Sequence, residues 1–177
     1  MALDTARLRL VPYGPADLLA FVDAAGPAPT CAGYPVAPGL FDYLTSDMVS
    51  AAWLDTLREA AAAGAGPDPW AFGFAAVHRD EGRVVGSAGF KGPPTAEGVA
   101  EVAYAVAPAY ERQGYATEAA GALVDFARAD GRVRRILAHT LPAEGPSPAV
   151  LRKCGFAFAG EVVDPDDGPV WRWERAF

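Results

Sequence analysis

The sequence predicts a single domain, residues 1–177, of the mixed α/β (α+β) class, built on one extended central sheet. Three observations lead to this prediction. The 177 residues suit one domain with a full core. Helical and strand-like patterns follow one another in the order β-α-α-β-β-β-α-β-α-β-β. The content of 51% hydrophobic and 21% charged residues is ordinary for a globular protein.

The first half of the chain is predicted to hold two helices and three strands. Alternating apolar residues mark the strands, and apolar stripes mark the helices. The second helix has a capping serine, Ser46, and a glycine, Gly64, after its end. The predicted elements are a strand over 7–13, helices over 15–25 and 46–63, and a hairpin of 70–77 with 83–90 around the turn 79–82.

A proline-rich connection over 26–45 separates the two helices. A connection of this length without a clear pattern is more often functional than idle. Together with the loops 91–98 and 164–168 it is the expected place for acceptor recognition, because loops carry variable function. Its residues Tyr34, Phe41, Asp42 and Tyr43 suit an aromatic and acidic pocket for an amine, and packing of the loop itself is the alternative interpretation.

The most informative stretch, residues 99–129, predicts a strand, a polar loop with Gly114, and a helix. In the strand, Glu101 shares one face with small alanines, and Tyr104 lies on the other face. Pro108 ends the strand. A glycine turn that feeds a helix directs free N–H groups at one point. This stretch therefore predicts an anion site formed by the loop and by the positive charge of Arg112. A plain connection from strand to helix, in which Gly114 only allows a tight turn, is the alternative.

The remainder of the chain predicts another strand, a short helix and a final hairpin. The strand covers 135–140, the helix lies near 148–154, and the hairpin strands cover 156–163 and 169–175. Ser147 followed by Pro148 is typical of a helix N-cap, with Gly155 just past the helix end.

Charge and cysteine content exclude several classes of protein. A net charge of −7 with no clustered basic face argues against nucleic acid as the partner and mildly favours cationic ones. We expect no membrane span and no secretory signal. Cys31 and Cys154 predict no disulfide framework, which fits a cytoplasmic location, and Cys31 is expected to be exposed. His78 and His139 lack partners at metal spacing, so we expect structural roles for them and no metal.

The segment AEVAYAVAPAYERQGYATEAA resembles the acetyl-coenzyme A (acetyl-CoA) motif of the GNAT superfamily of N-acetyltransferases. That motif runs Gln/Arg-x-x-Gly-x-Gly/Ala. The ending GYATEA resembles the branch of ribosomal-protein N-terminal acetyltransferases. RLRLVP, VVGSAGF and VLRKCGF stand in the expected order along nearly the whole chain. The resemblance implies a largely antiparallel mixed sheet of about six to seven strands flanked by helices.

The resemblance also implies where acetyl-CoA binds as cosubstrate. The pyrophosphate is expected at the loop, the thioester carbonyl at backbone N–H groups of β-strand residues, and the adenosine phosphates at basic residues of the short helix. For the basic residues of the short helix, the alternative is that they only form its solvated end. The expected cofactor-binding residues are Ala105, Val106, Arg112, Gln113, Gly114, Tyr115, Ala116, Thr117, Arg152 and Lys153.

Two positions depart from the family pattern. Glu111 stands where a basic residue or glutamine is usual, and a carboxylate beside a pyrophosphate is unfavourable unless it points to solvent. Glu144 stands where the family tends to have asparagine. A carboxylate there can hold a cationic amine but cannot donate a hydrogen bond as an amide does. Glu144 is therefore an expected substrate-binding residue, together with Tyr34 and Asp42.

Two residues are predicted to be catalytic. Glu101 is expected to act as general base, because the acceptor amine must lose a proton, at a cost of about 1 kcal/mol for an α-amine at pH 7. An exposed glutamate at a strand edge is the alternative. Ser147 is expected to protonate the leaving thiolate, and helix capping alone is the alternative.

Together these features predict an N-acetyltransferase that transfers an acetyl group from acetyl-CoA to a primary amine by direct attack in a ternary complex. One alternative function is an acyl-CoA-binding regulatory module with little catalysis, and Glu111 and Glu144 favour it. Another is an interaction protein that no longer binds the cofactor. The sequence does not identify the acceptor, which is a small molecule or a protein N-terminus. It also leaves open the length of the acyl chain and whether the protein forms a homodimer.

Overall fold

The computed structural model describes residues 1–23, 30–40, 42, 51–165 and 167–177. The predicted cap Ser46 and the loop aromatics Phe41 and Tyr43 lie outside these ranges. The described residues include four helices, and a 3-10 turn, Pro108–Tyr110, precedes the third. The helices are α1 (Pro15–Val22), α2 (Ala51–Ala62), α3 (Tyr115–Asp130) and α4 (Pro146–Lys153).

Eight strands form one sheet in the order β1-β2-β5-β6-β7-β8-β10-β9, and β3 pairs with β4 separately. Neighbouring strands of the large sheet are antiparallel except β7 and β8, which are parallel. The strands are β1 (Leu3–Asp4), β2 (Leu8–Pro12), β3 (Thr30–Cys31), β4 (Tyr34–Pro35), β5 (Phe74–His78), β6 (Arg83–Phe90), β7 (Val99–Val106), β8 (Arg135–Thr140), β9 (Ala157–Asp164) and β10 (Gly168–Ala176).

Local sequence explains where the helices begin and end. The first helix starts at Pro15, and the Asp17 carboxylate accepts a hydrogen bond from the Gly14 N–H at 3.1 Å. The third helix lies between Gly114 and Gly131, whose φ angles of 89° and 75° are left-handed. Glycine adopts this conformation without the steric cost of a side chain.

The helices cover both faces of the large sheet. Helix α3 buries an apolar stripe against the face formed by Leu8, Leu10 and Phe74, and the Phe126 ring lies 5.6 Å from that of Phe74. Helices α1 and α2 pack on each other and lie over the opposite face, where Ala103 of β7 points. None of the described helices is long and apolar enough to cross a membrane.

The predicted fold class and its mostly antiparallel sheet are confirmed, and the elements differ from prediction at their ends. The short strand β1 brings the sheet to eight strands rather than six or seven. Strand β5 begins at Phe74 rather than at residue 70. Helix α4 begins at Pro146 with Gly145 as its N-cap, so Ser147 lies inside the helix and is not the cap. Cys31, expected to be exposed, is buried.

Candidate active site

The parallel strands β7 and β8 separate in the middle of the sheet. Their pairing comprises Val99 with Arg135, Ala100 with Ile136, and Glu101 with Leu137. Beyond these pairs β7 continues beside β6, and β8 continues beside β10. A cleft therefore opens between the two strands immediately after Glu101.

Backbone polarity along β7 alternates between β6 and the cleft. Lys91 N–H donates to the Glu101 carbonyl, and Ala107 N–H donates to the Val85 carbonyl, so the odd-numbered residues of β7 bond to β6. The even-numbered ones direct their N–H and C=O groups to the opposite side. Of the two donors expected at the thioester, Val106 N–H faces the cleft, whereas Ala105 N–H faces β6. Both residues line the cavity described next.

A cavity of about 840 Å³ begins at this cleft and extends to the start of α3. The first bond of α3 runs from Glu118 N–H to the Gly114 carbonyl, so the N–H groups of Tyr115, Ala116 and Thr117 precede the helical ladder. The lining residues are Tyr104, Ala105, Val106, Tyr110, Glu111, Arg112, Gly114, Tyr115, Ala116, Thr117, Gly145, Pro146, Ser147, Ala149, Val150 and Lys153. Unbonded N–H groups at a helix N-terminus are suited to an anion such as a pyrophosphate.

The loop before α3 holds an unusual backbone conformation. Arg112 has φ 57°, a left-handed angle that is costly for a residue with a side chain, and Gly114 has φ 89°. Gln113 supports the loop instead of lining the cavity. Its side-chain Nε2 donates to the Ala109 carbonyl at 2.9 Å, and its own carbonyl accepts from Arg7 Nη1 at 2.9 Å.

Arg7 and Glu118 fasten this loop to the N-terminal strands. The Arg7 guanidinium lies 4.3 Å from the centroid of the Tyr115 ring, and its Nε donates to Glu118 at 2.9 Å. Glu118 also accepts from the Thr5 hydroxyl and from the backbone N–H groups of Arg7 and Leu8. Burial acts to raise the pKa of Glu118, but the hydrogen bonds from Thr5 and Arg7 outweigh it, so this pKa lies below its ordinary value.

A buried histidine holds the first residue of α3 from the other side. The Glu81 N–H donates to His78 Nδ1 at 3.3 Å, so the remaining proton of the ring lies on Nε2 and is donated to the Tyr115 hydroxyl at 2.9 Å. Arg7 and His78 therefore position Tyr115 together. The sequence predicted a structural role for His78 and gave no signal of this long-range contact.

The two residues that depart from the family pattern, Glu111 and Glu144, lie in different surroundings. Glu111 is exposed and lines the 840 Å³ cavity. Glu144 pairs with Arg152, at 2.6 and 2.7 Å, and the hydrogen bond from that guanidinium lowers the pKa of Glu144. Arg152 also lies 5.0 Å from the Trp173 ring, whereas its neighbour Lys153 lines the cavity. Two expected ligand-binding residues, Glu144 and Arg152, thus bind each other.

Glu101 lies in a small cluster of charged and polar side chains at the base of the cleft. Its Oε1 is 2.9 Å from His139 Nδ1 and 2.7 Å from Lys91 Nζ. Because a carboxylate only accepts, His139 donates through Nδ1–H. His139 was expected to be merely structural, and its contact with Glu101 follows from the parallel register of β7 and β8, which the sequence does not reveal.

Ser147 and Tyr104 meet at the wall of the 840 Å³ cavity. The Tyr104 hydroxyl donates to the backbone carbonyl of Ser147 at 3.4 Å, and both residues line the cavity. Burial raises the pKa of Tyr104, which keeps its hydroxyl protonated. Tyr104, which the sequence places on the strand face opposite Glu101, is half-buried and forms part of the site.

A second cavity, of about 450 Å³, lies on the α1–α2 side of β7. It shares Tyr104 and Ala105 with the 840 Å³ cavity, so the two cavities meet at the same point of the strand. Neither Tyr34, half-buried in β4, nor Asp42, which is exposed, is among the described residues that line the two cavities.

The two thiols of the protein are remote from solvent. Cys31 and Cys154 are both buried and free, and burial raises the pKa of Cys31 to about 12. Within the described ranges, no three histidine, cysteine, aspartate or glutamate side chains come close enough together to hold a metal ion.

Comparison with known proteins places this geometry in a family. The chain is 35% identical over 80 residues to the uncharacterized N-acetyltransferase YjdG of Bacillus subtilis, a match that spans 45% of this chain and about half, 48%, of that relative. It superimposes on the ribosomal-protein-S5-alanine acetyltransferase of Vibrio fischeri with a TM-score of 0.68 and 15% identity, covering 99% of this chain and 96% of the other.

A third likeness comes from a structure that contains the cosubstrate. The aminoglycoside acetyltransferase AAC(6')-Ib, solved with paromomycin and acetyl-CoA, aligns with 58% of this chain and 63% of its own at 23% identity and a TM-score of 0.52. The family model of the GNAT acetyltransferase domain matches residues 7–157. That match covers most of the chain, which therefore belongs to the GNAT family of acetyltransferases.

Proposed function

We propose that this protein transfers an acetyl group from acetyl-CoA to a primary amine within a ternary complex. The observation that carries the proposal is the meeting of the two cavities at Tyr104 and Ala105, beside the cleft between β7 and β8. One cavity suits a long anionic molecule, and the other suits a compact one. Two substrates bound on the two sides would touch at this point and react directly.

The residues of the larger cavity fit acetyl-CoA, whose thioester supplies the activated acetyl group. The N–H groups of Tyr115, Ala116 and Thr117 would hold the pyrophosphate, with positive charge from Arg112 and Lys153. The cleft beyond Glu101 would receive the extended pantetheine as an additional strand. Val106 N–H faces that cleft and is suited to stabilise negative charge on the carbonyl oxygen.

In this proposal the amine attacks the thioester carbon, the C–S bond breaks, and the products are an amide and the free thiol. Glu101 accepts the proton of the amine through a water, and the hydrogen bond from His139 and the ion pair with Lys91 fix its carboxylate. Ser147 supplies a proton to the departing thiolate. The Tyr104 hydroxyl, protonated and in the same cavity, is a second donor.

A binding module without catalysis is the alternative, and Glu111 favours it because a carboxylate in an anion-binding cavity weakens pyrophosphate binding. Two measurements on the wild-type protein decide between the functions. Acetyl-CoA should raise the melting temperature, and thiol release should depend on an added amine from a varied panel. Thermal stabilisation without amine-dependent thiol release would support the binding module instead. The buried free cysteines support a cytoplasmic location as part of the proposal.

A further inference from the structure

We propose that the acceptor is a primary amine carried on an apolar, uncharged body that fills the 450 Å³ cavity beside β7. This inference rests on the proposed function and specifies its substrate class. The volume falls within the range of about 300–1,000 Å³ that is typical of small-molecule sites. A molecule the size of a phenylalkylamine is the kind of acceptor that such a cavity encloses.

Apolar side chains dominate the walls of this cavity. Helices α1 and α2 contribute aliphatic and aromatic groups from one side, and the segment before β5 contributes a phenylalanine. These walls comprise Leu18, Phe21, Val22, Trp53 and Phe72, whereas the Phe90 ring packs against Phe126 on the other face of the sheet. Transfer of an apolar body from water to such walls is favourable by about 25 cal/mol for each Å² buried.

The charges around the cavity disfavour a polycation. Among the described residues that line it, Lys91 alone carries a charge, and that charge is positive. The acidic residues expected to bind the acceptor, Asp42 and Glu144, lie elsewhere. Glu101, on the same side of β7, is already paired with Lys91 and His139. A further ammonium group of a polyamine would therefore be desolvated here without a carboxylate of its own, which is costly.

The remaining polar groups of the lining are neutral. Burial raises the pKa of Tyr13, so its hydroxyl stays protonated, and Ser87 is uncharged. On the β7 side the lining comprises Ala103, Ala105 and the protonated Tyr104, and the two methyl groups leave the space open up to the meeting point with the other cavity. A reacting amine would lie at that point with its apolar body pointing toward α1.

The test compares amines by thiol release from acetyl-CoA. The panel contains phenethylamine, propylamine, spermidine, kanamycin and a peptide with a free N-terminal alanine. We expect kcat/KM for phenethylamine to exceed that for spermidine and kanamycin by about tenfold or more. A preference for the polycations or for the peptide would overturn the inference while leaving the acetyltransferase function intact.

Filling the cavity provides the structural control. Ala103→Leu should lower kcat/KM for phenethylamine about tenfold and shift the preference toward propylamine, with KM for acetyl-CoA unchanged. Val22→Phe, at the half-exposed end of α1, provides a second variant if the first does not fold. Ala129→Leu, exposed on α3, is the matched control and should leave the preference as in the wild type.

Two other outcomes separate this inference from the function on which it rests. If no amine supports thiol release, the proposed catalysis fails, and calorimetry with phenethylamine in the presence of coenzyme A decides the inference. Binding that Ala103→Leu weakens would support it, and no binding would overturn it. If an octanoyl donor is used better than acetyl-CoA and apolar amines are poor acceptors, the cavity serves the acyl chain and the inference is wrong.

Discussion

Glu101 and His139 are joined by a 2.9 Å hydrogen bond across the point where β7 and β8 begin to diverge. Glu101 belongs to the last residue pair of the two strands, and His139 lies two residues beyond its partner Leu137. Side chains two residues apart on a strand share a face, so the imidazole and the carboxylate both lie on the side of the α1–α2 cavity. The bond thus fixes the carboxylate beside the cleft.

Replacement of Glu101 by glutamine should lower turnover about 100-fold or more, because an amide cannot accept the proton of the amine. Cofactor affinity should be nearly unchanged, since the pyrophosphate loop is elsewhere. The pH–rate profile of Glu101→Gln should lose the limb that reports the base. A profile identical to that of the wild type would show that Glu101 is not the base.

Replacement of His139 by leucine should reduce kcat roughly tenfold, because a hydrogen bond to a charged group contributes about 1.5–3 kcal/mol. His139→Asn offers an amide N–H near the position of Nδ1 and should restore part of the loss. A purely structural role would give the opposite pattern, with equal losses in both variants and an unaltered pH–rate profile.

The proton donor to the thiolate can be identified by comparing Tyr104→Phe with Ser147→Ala. Both hydroxyl-bearing residues line the larger cavity, and the half-buried tyrosine stays protonated. The variant that lacks the true proton donor should have a lower kcat with acetyl-CoA. The loss should be smaller with an acyl thioester whose thiol is a better leaving group. Equal activity of both variants and the wild type would assign the proton to solvent.

Gly114 and Gly131 allow the cofactor loop to be tested against a matched position at the other end of α3. Both have left-handed φ angles, so alanine costs stability at either site, by about 1 kcal/mol. At Gly114 the new methyl group would also lie 3.3 Å from Arg7 Nη2, whereas nothing lies within 4 Å at Gly131. Gly114→Ala alone should raise KM for acetyl-CoA; an equal KM in both variants would contradict a role of this loop in binding.

Glu118 should make the fold sensitive to acid. Its pKa is below the ordinary value of 4.5 in the folded protein, so its contribution to stability is complete above that value and is lost as the pH falls through the lowered one. The free energy of unfolding, measured with urea from pH 7 to pH 3, should decrease as the pH falls. In Glu118→Gln this decrease should be smaller. Asp125→Asn removes an exposed carboxyl of the same helix and is the control.

Much of the fold could be predicted because its signals are local. Alternation along β7, the proline that ends it and the glycine before α3 lie within one short stretch, and Val99–Val106 and Tyr115–Asp130 match the predictions closely. Strand β1, with only Leu3 and Asp4, is too short to show a period. The predicted start of α4, near residue 148, was wrong because Pro146 and Pro148 are both compatible with the first turn of a helix.

The candidate site was predictable only where it is continuous in sequence. The loop 112–117 is one continuous motif in the sequence, and it precedes α3 in the structure as expected. The contacts of Glu101 with His139 and Lys91 bridge strands that are far apart along the chain. The pairing of Glu144 with Arg152 joins two residues that the sequence assigned to different ligands. Such contacts depend on register and on side-chain direction, which composition and periodicity do not encode.

Among the described residues, the seam between β7 and β8 contains three paired positions, Val99 to Glu101 with Arg135 to Leu137, and at its end the Gly98 carbonyl accepts from the N–H groups of Arg134 and Arg135. Strands β8, β10 and β9 lie on one side of this seam. Few backbone bonds cross this seam, so its opening requires less free energy than disruption of the long antiparallel pairs on either side. A ligand that bonds to both strands of the cleft closes the seam as it binds. Affinity for that ligand and the cohesion of the two parts of the sheet therefore depend on the same backbone groups.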